Sequence, residues 1–146
     1  MIGNNFLLWE NDEFVIKTPS NPHTSYDEGL HIIVTTQYDY ETAWENPEIS
    51  GRVFELASRV SKIIEEVGLA PWFNIQSNGN WGLLPDANKF FHVHVYGRNK
   101  TGSWGKPIAL PEAPGTYTNE PMPESDRNTL IEAFKQLSKT YTIDYR

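Results

Sequence analysis

The residues Phe91-His92-Val93-His94-Val95-Tyr96-Gly97-Arg98 alternate between apolar and ring-bearing polar side chains. In a strand, successive side chains point to opposite faces, so Phe91, Val93 and Val95 would share one face. His92, His94 and Tyr96 would share the other, spaced roughly 7 Å apart. Solvent-facing strand positions more often carry Thr, Lys or Glu, so a row of two imidazoles and a phenol asks for an explanation. Three chemistries compete. The histidines could be a structural pair, hydrogen-bonded by neighbours or exposed. They could be metal ligands, but a usable site wants a third and usually a fourth donor. Only His23 and His31 remain, and no carboxylate closely follows the pair. No metal is therefore expected. The third chemistry is displacement at phosphorus. Neutral imidazole is a good nucleophile near pH 7, and it can take up a phosphorus group and release it again, splitting one hard displacement into two.

The surroundings bear on that choice. Arg98, Lys100 and Lys106 follow the alternating segment with no acid between them, which suits a small anion. The acids gather elsewhere, in Glu10–Glu13, Asp39–Glu48 and Glu120–Asp126. The formal net charge of -7 argues against a nucleic-acid backbone as a partner. With no cysteine, disulfide and thiolate chemistry are excluded, in keeping with a reducing compartment. No basic region followed by a long apolar run opens the sequence, and no stretch has the length of a membrane span. A cytoplasmic location without membrane association is the expectation. A chain of 146 residues can bury about 70% of its unfolded surface.

These side chains must be held by elements that the rest of the sequence supplies. Phe6–Trp9 and Phe14–Lys17 read as a hairpin around Asn11-Asp12. Thr18–His23 reads as a loop, and Leu30–Thr36 as a strand. Asn46-Pro47-Glu48 is a helix start, with an N-cap, a proline at the first helical position and an acid in the first turn. Val53, Leu56, Ala57, Val60, Ile64 and Val67 continue at helical spacing to Gly68, giving one apolar face that would cover a sheet. Trp72–Gln76 reads as a strand, Ser77–Lys89 as a loop and Phe90–Arg98 as the strand of the alternating segment. A proline-rich irregular segment, about 107–123, precedes a C-terminal helix, about 124–137. The fold class is α+β: one domain over 1–146, an antiparallel sheet with one long helix and a C-terminal helix.

The segment resembles the signature of the histidine-triad (HIT-like) superfamily, His-φ-His-φ-His-φ-φ with φ apolar and an Arg shortly after. Phe73–Gly79 is similar to that family's strand ending in an asparagine-containing loop. Leu30-His31-Ile32-Ile33-Val34 resembles its earlier strand with a histidine of its own. Trp104 stands where many Hint-type members carry a tryptophan. The tail with Pro114-Gly115-Thr116-Tyr117 looks like that of bacterial HIT-like proteins. The resemblance implies a nucleotidyl hydrolase or transferase acting on a nucleoside phosphate ester or anhydride, such as a dinucleoside polyphosphate. It implies a nucleotidyl-histidine intermediate on His94, with His92 orienting it and His31 supporting the pair. Asn78 would approach the ribose or phosphate. Tyr96, Arg98, Lys89 and Asn88 would complete the substrate site. His23 lies where the family places ribose- or base-contacting residues, and Trp81 could stack on a base, whereas Trp72 reads as core. No cofactor is implied, beyond a magnesium ion that a nucleotide can bring with it. The family also suggests a homodimer.

Two positions depart from the pattern. Tyr96 takes the third triad place, and a phenol titrating near 10 is a poor proton shuttle at neutral pH. Hexose-phosphate uridylyltransferases resemble the family with glutamine there, so the change does not exclude catalysis. It does tell against amine leaving groups, which need a proton more than phosphate does. Asn88-Lys89 stands where the family often has Gln-Ser or Gln-Thr. The rival expectation is a nucleotide-binding HIT-like module with little or no turnover; a third is a structural domain with idle histidines.

Overall fold

Hydrophobic patterning and turn chemistry produce a five-stranded antiparallel sheet in the computed structural model, which describes residues 5–100 and 117–140. In chain order the strands are β1 (Asn5–Glu10), β2 (Phe14–Pro19), β3 (Gly29–Thr36), β4 (Trp72–Gln76) and β5 (His92–Arg98). Their spatial order is β1-β2-β3-β5-β4. Asn11 closes the first hairpin, its side-chain oxygen accepting from the backbone N–H groups of Glu13 and Phe14.

Helix α1 (Pro47–Glu66) crosses between β3 and β4. Asn46 caps it by accepting from the Ile49 N–H, with Pro47 in the first turn. Gly68 ends it at φ +80°, a backbone conformation that costs glycine little. The apolar stripe of α1 packs on β3, β4 and β5 and meets Phe14, Ile16, Ile32, Val34, Val93 and Val95 in one core. Where β3 and β5 run together, Gly97 lets Leu30 and Ala70 approach its backbone; a Cβ there would collide with both. Helix α2 (Glu124–Phe134) rests on β1 and α1, with Leu130 and Phe134 buried, and a short α3 (Leu137–Thr140) follows.

The long helix, the three later strands and the C-terminal helix match the elements expected from sequence. Three details differ. The last strand begins at His92, not Phe90, because the Phe91 N–H donates to the Tyr40 carbonyl rather than entering the ladder. The loop after β4 contains a helical turn at Gly79–Leu83. Trp72 is 72% exposed on the edge strand β4 rather than in the core. Trp104, Lys106 and most of the proline-rich segment lie outside the described residues. No helix among the described residues is long and apolar enough to cross a membrane.

Candidate functional site

Register brings the histidines together. His31 stands opposite Tyr96, Ile33 opposite His94, and Thr35 opposite His92. All six therefore share the sheet face turned away from α1. On the far side of β5, Asn74 pairs with Tyr96 and Gln76 with His94. The loop between β2 and β3 folds over this face and brings His23 down onto it. His23 ring centroids lie 4.5 Å from His31 and 5.1 Å from His94. That loop is strapped by residues after the proline-rich segment. Asn21 donates to the Tyr117 carbonyl, Asn119 donates to the Pro22 carbonyl and Ser25 donates to the Asn119 side chain.

Hydrogen-bond direction assigns the tautomers. The His23 backbone N–H, which can only donate, is 3.2 Å from His31 Nδ1. His31 Nδ1 is thus an acceptor, so the proton of neutral His31 sits on Nε2 and is given to His94 Nδ1, 2.7 Å away. His94 consequently carries its proton on Nε2. His92 is the reverse. Its Nδ1 lies 2.9 Å from the Phe90 carbonyl oxygen, which can only accept. His92 Nδ1 is protonated and its Nε2 keeps the lone pair. The two rings meet edge-on at 4.7 Å, one offering a lone pair, the other an N–H.

All four imidazoles are held neutral. Burial is the main cause in each case. It takes His94 down to about 2, assisted by His92 and His23. It takes His23 down to about 4, assisted by His92. His31, fully enclosed, is pushed well below the ordinary imidazole value by burial and then by the other three rings. His92 is lowered by burial and by Lys17, against the opposing pull of the Phe90 carbonyl.

A cavity of about 290 Å³ opens beside His92. Its wall includes Ser77, Asn78, Asn88 and Lys89 from the β4–β5 connection, together with Trp81 and Trp44. Of the residues singled out in sequence, His92, Asn78, Asn88 and Lys89 reach the cavity. His31 and His94 lie behind them, 3% exposed. Tyr96 and Arg98 do not line it. Tyr96 is fully enclosed, stacked on His94, and its hydroxyl is 2.7 Å from His23 Nδ1 while accepting from Asn78 Nδ2. Burial raises its pKa, so it stays a neutral phenol. Arg98 is buried at the end of the strand and donates to Asn74. The phenol expected to face a ligand instead ties the histidine loop to the cavity wall through Asn78.

No protein-family model matches the sequence, and no curated protein sequence matches it. Solved structures do match the fold. A zinc-bound histidine triad family protein from Mycobacterium smegmatis superposes with a TM-score of 0.66 at 20% identity, over 94% of this chain and 88% of that one. A histidine triad protein from Bradyrhizobium japonicum gives 0.62 at 14% identity, over 90% and 89%. A hypothetical histidine triad nucleotide-binding protein from Sulfolobus tokodaii gives 0.60 at 13%, over 92% and 86%. The fold is the histidine-triad (HIT-like) fold.

On this HIT-like sheet the possible metal donors are not the His-x-His pair considered from sequence. They are His23, His31 and His94, whose ligand atoms lie within 4.8 Å of one another. The lone pairs of His31 and His94 are already committed, to the His23 backbone N–H and to His31 Nε2–H. For His31 Nε2 to bind a metal, its proton would move to Nδ1 and face the His23 N–H, setting two donors against each other. As folded, His23, His31 and His94 are joined by hydrogen bonds from the His23 backbone N–H through His31 to His94. Two roles are not legible in the sequence. His23 is singled out there as a ribose- or base-contacting residue, but nothing local to it shows that its backbone N–H orients His31. Lys17 was read as the end of a strand, and its position on the histidine face follows only from the β2–β3 register.

Proposed function

We propose that the protein is a nucleotidyl hydrolase or transferase acting on a nucleoside phosphate ester or anhydride, and that His92, not His94, is its nucleophile. The observation that carries this reading is the opposite protonation of the two rings. His92 lines the cavity, and because its Nδ1 is anchored to the Phe90 carbonyl its lone pair is on Nε2. In the first step Nε2 attacks phosphorus, a P–N bond forms and the P–O bond to the leaving group breaks with its electron pair. The imidazolium that forms is stabilised by its Nδ1–H bond to the Phe90 carbonyl. His94, enclosed behind His92 and meeting it edge-on, supports that ring from the closed side. Water or another acceptor then attacks phosphorus and gives its proton to solvent, while the P–N bond breaks with its electron pair returning to Nε2 and neutral His92 is restored.

The same geometry favours phosphate-type leaving groups. His94 is a neutral donor and Tyr96 a buried phenol, so neither is a ready acid for a departing amine. The test is a panel of nucleoside phosphates, phosphoramidates and dinucleoside polyphosphates, read by product release. Turnover of anhydrides with little or none of phosphoramidates is expected. Binding of nucleoside phosphates without release of product from any of them would leave a binding module instead.

A further inference from the structure

We propose that Lys17, which does not itself line the cavity, is a phosphate-binding residue that reaches from β2 toward the phosphoryl group at His92. The inference rests on the reading of His92 as the nitrogen that faces phosphorus.

Lys17 pairs with Ile33, and Ile33 with His94, so Lys17 lies on the histidine face. Two strand spacings, roughly 10 Å, separate its backbone from β5. Its side chain closes much of that gap. The ammonium sits 5.6 Å from the centre of the Phe90 ring, and Phe90 stacks on His92 with centroids 4.2 Å apart. Lys17 is half-buried, and burial lowers its pKa. Among the described residues no carboxylate pairs with it. Of the other groups on that face, His23, His31, His92, His94 and the Tyr96 phenol are neutral, Arg98 is held at the far end of β5 by Asn74, and Glu10 is exposed on β1, where it accepts from Gln37. The acid at the cavity wall, Glu41, is exposed at the rim.

A structural role does not account for this charge. The contact with the Phe90 ring is a weak return for half-burying an ammonium, and methionine would cover the same apolar surface. Beside an empty site, the cation works against the chemistry. It opposes formation of a second positive charge on His92, the group that must become imidazolium. The opposition vanishes when an anion lies between them. A phosphate there would be attracted by Lys17, and the imidazolium would form against negative rather than positive charge. The ligand class follows: an anionic phosphate, with recognition by charge and not by the nucleoside alone.

The test is calorimetric titration of wild type, Lys17→Met, Lys17→Gln and Lys17→Arg with inorganic phosphate, adenosine 5′-monophosphate and adenosine. Both phosphate probes should bind wild type about tenfold more tightly than Lys17→Met or Lys17→Gln. Lys17→Arg should recover most of the loss, and adenosine should not discriminate among the four. Thermal melts without ligand establish that each variant is folded, and the glutamine variant serves if the methionine variant is not. Equal phosphate binding by wild type and both neutral variants removes Lys17 from the site and leaves His92 untouched. No binding of either phosphate probe to wild type removes the phosphate site altogether.

Discussion

His92 and His94 differ by two residues, share a strand and face the same way, yet they sit in two different environments. Around His92 the structure is open on one side. A backbone carbonyl fixes one ring nitrogen, leaving the lone pair on the other, and the residue lines a cavity walled also by Asn78, Asn88 and Lys89. Around His94 the structure is closed. His31, His23 and Tyr96 enclose the ring, and a relay of N–H donors beginning at the His23 backbone sets its proton. The resemblance to the HIT-like family implies His94 as the nucleophile, with His92 orienting it. Hydrogen-bond direction leaves His94 with its proton on Nε2 and His92 with its lone pair there, which is the ground for the opposite order proposed above.

The largest effect should separate the two directly. His92→Asn removes the lone pair and should lower kcat on the order of 10³-fold or more, with no covalent nucleotidyl-protein in quenched mass spectra. His94→Asn retains a donor near the same place and should cost about 10- to 100-fold while still forming the adduct. An adduct in His92→Asn and none in His94→Asn would reverse the assignment.

Acid should then break the closed environment. Each buried imidazole has a lower pKa folded than unfolded, so the unfolded chain takes up protons first as pH falls below about 6.5. The stability these rings lend is complete above that value and declines toward the folded values, about 4 for His23 and about 2 for His94. His23 alone would forfeit on the order of 3 kcal/mol by pH 4. Denaturant melts from pH 7.5 to 4 should show the midpoint falling steadily below pH 6.5. A flat profile would mean that the histidines are not buried as a cluster.

The chain's own pattern revealed the frame more readily than the site. Alternation from Phe91 to Arg98 marked both faces of β5, and Asn46-Pro47 with the stripe from Val53 to Ile64 marked α1, because these signals are local. The partners of the histidines are not local. His31 reaches His94 across 63 residues, and the loop holding His23 is strapped by Asn119, almost a hundred residues away. Lys17 joins the same face only through register. Trp72 went astray because an aromatic strand residue reads as core unless its strand is known to be an edge.

The smallest effect belongs to Tyr96, which links the two environments. Its hydroxyl accepts from Asn78 on the cavity wall and bonds His23 Nδ1 over the closed cluster. Tyr96→Phe keeps the ring and leaves no hole, so the loss is that of two hydrogen bonds whose partners are only partly buried. About 1–2 kcal/mol of stability should go, lowering Tm by about 3–6 °C. The Asn78 amide, released from the phenol, can turn away from a bound phosphate, so KM should rise a few-fold. kcat should barely change, because His31 is oriented by the His23 backbone and not by the side chain that Tyr96 holds. Tyr96→His should not create phosphoramidase activity, since the new ring would lie in the same enclosed place. Tm, kcat and KM of both variants decide the matter. A hundredfold loss of kcat in Tyr96→Phe at unchanged Tm would make the phenol the proton donor, and the closed cluster would then be part of the chemistry rather than its support.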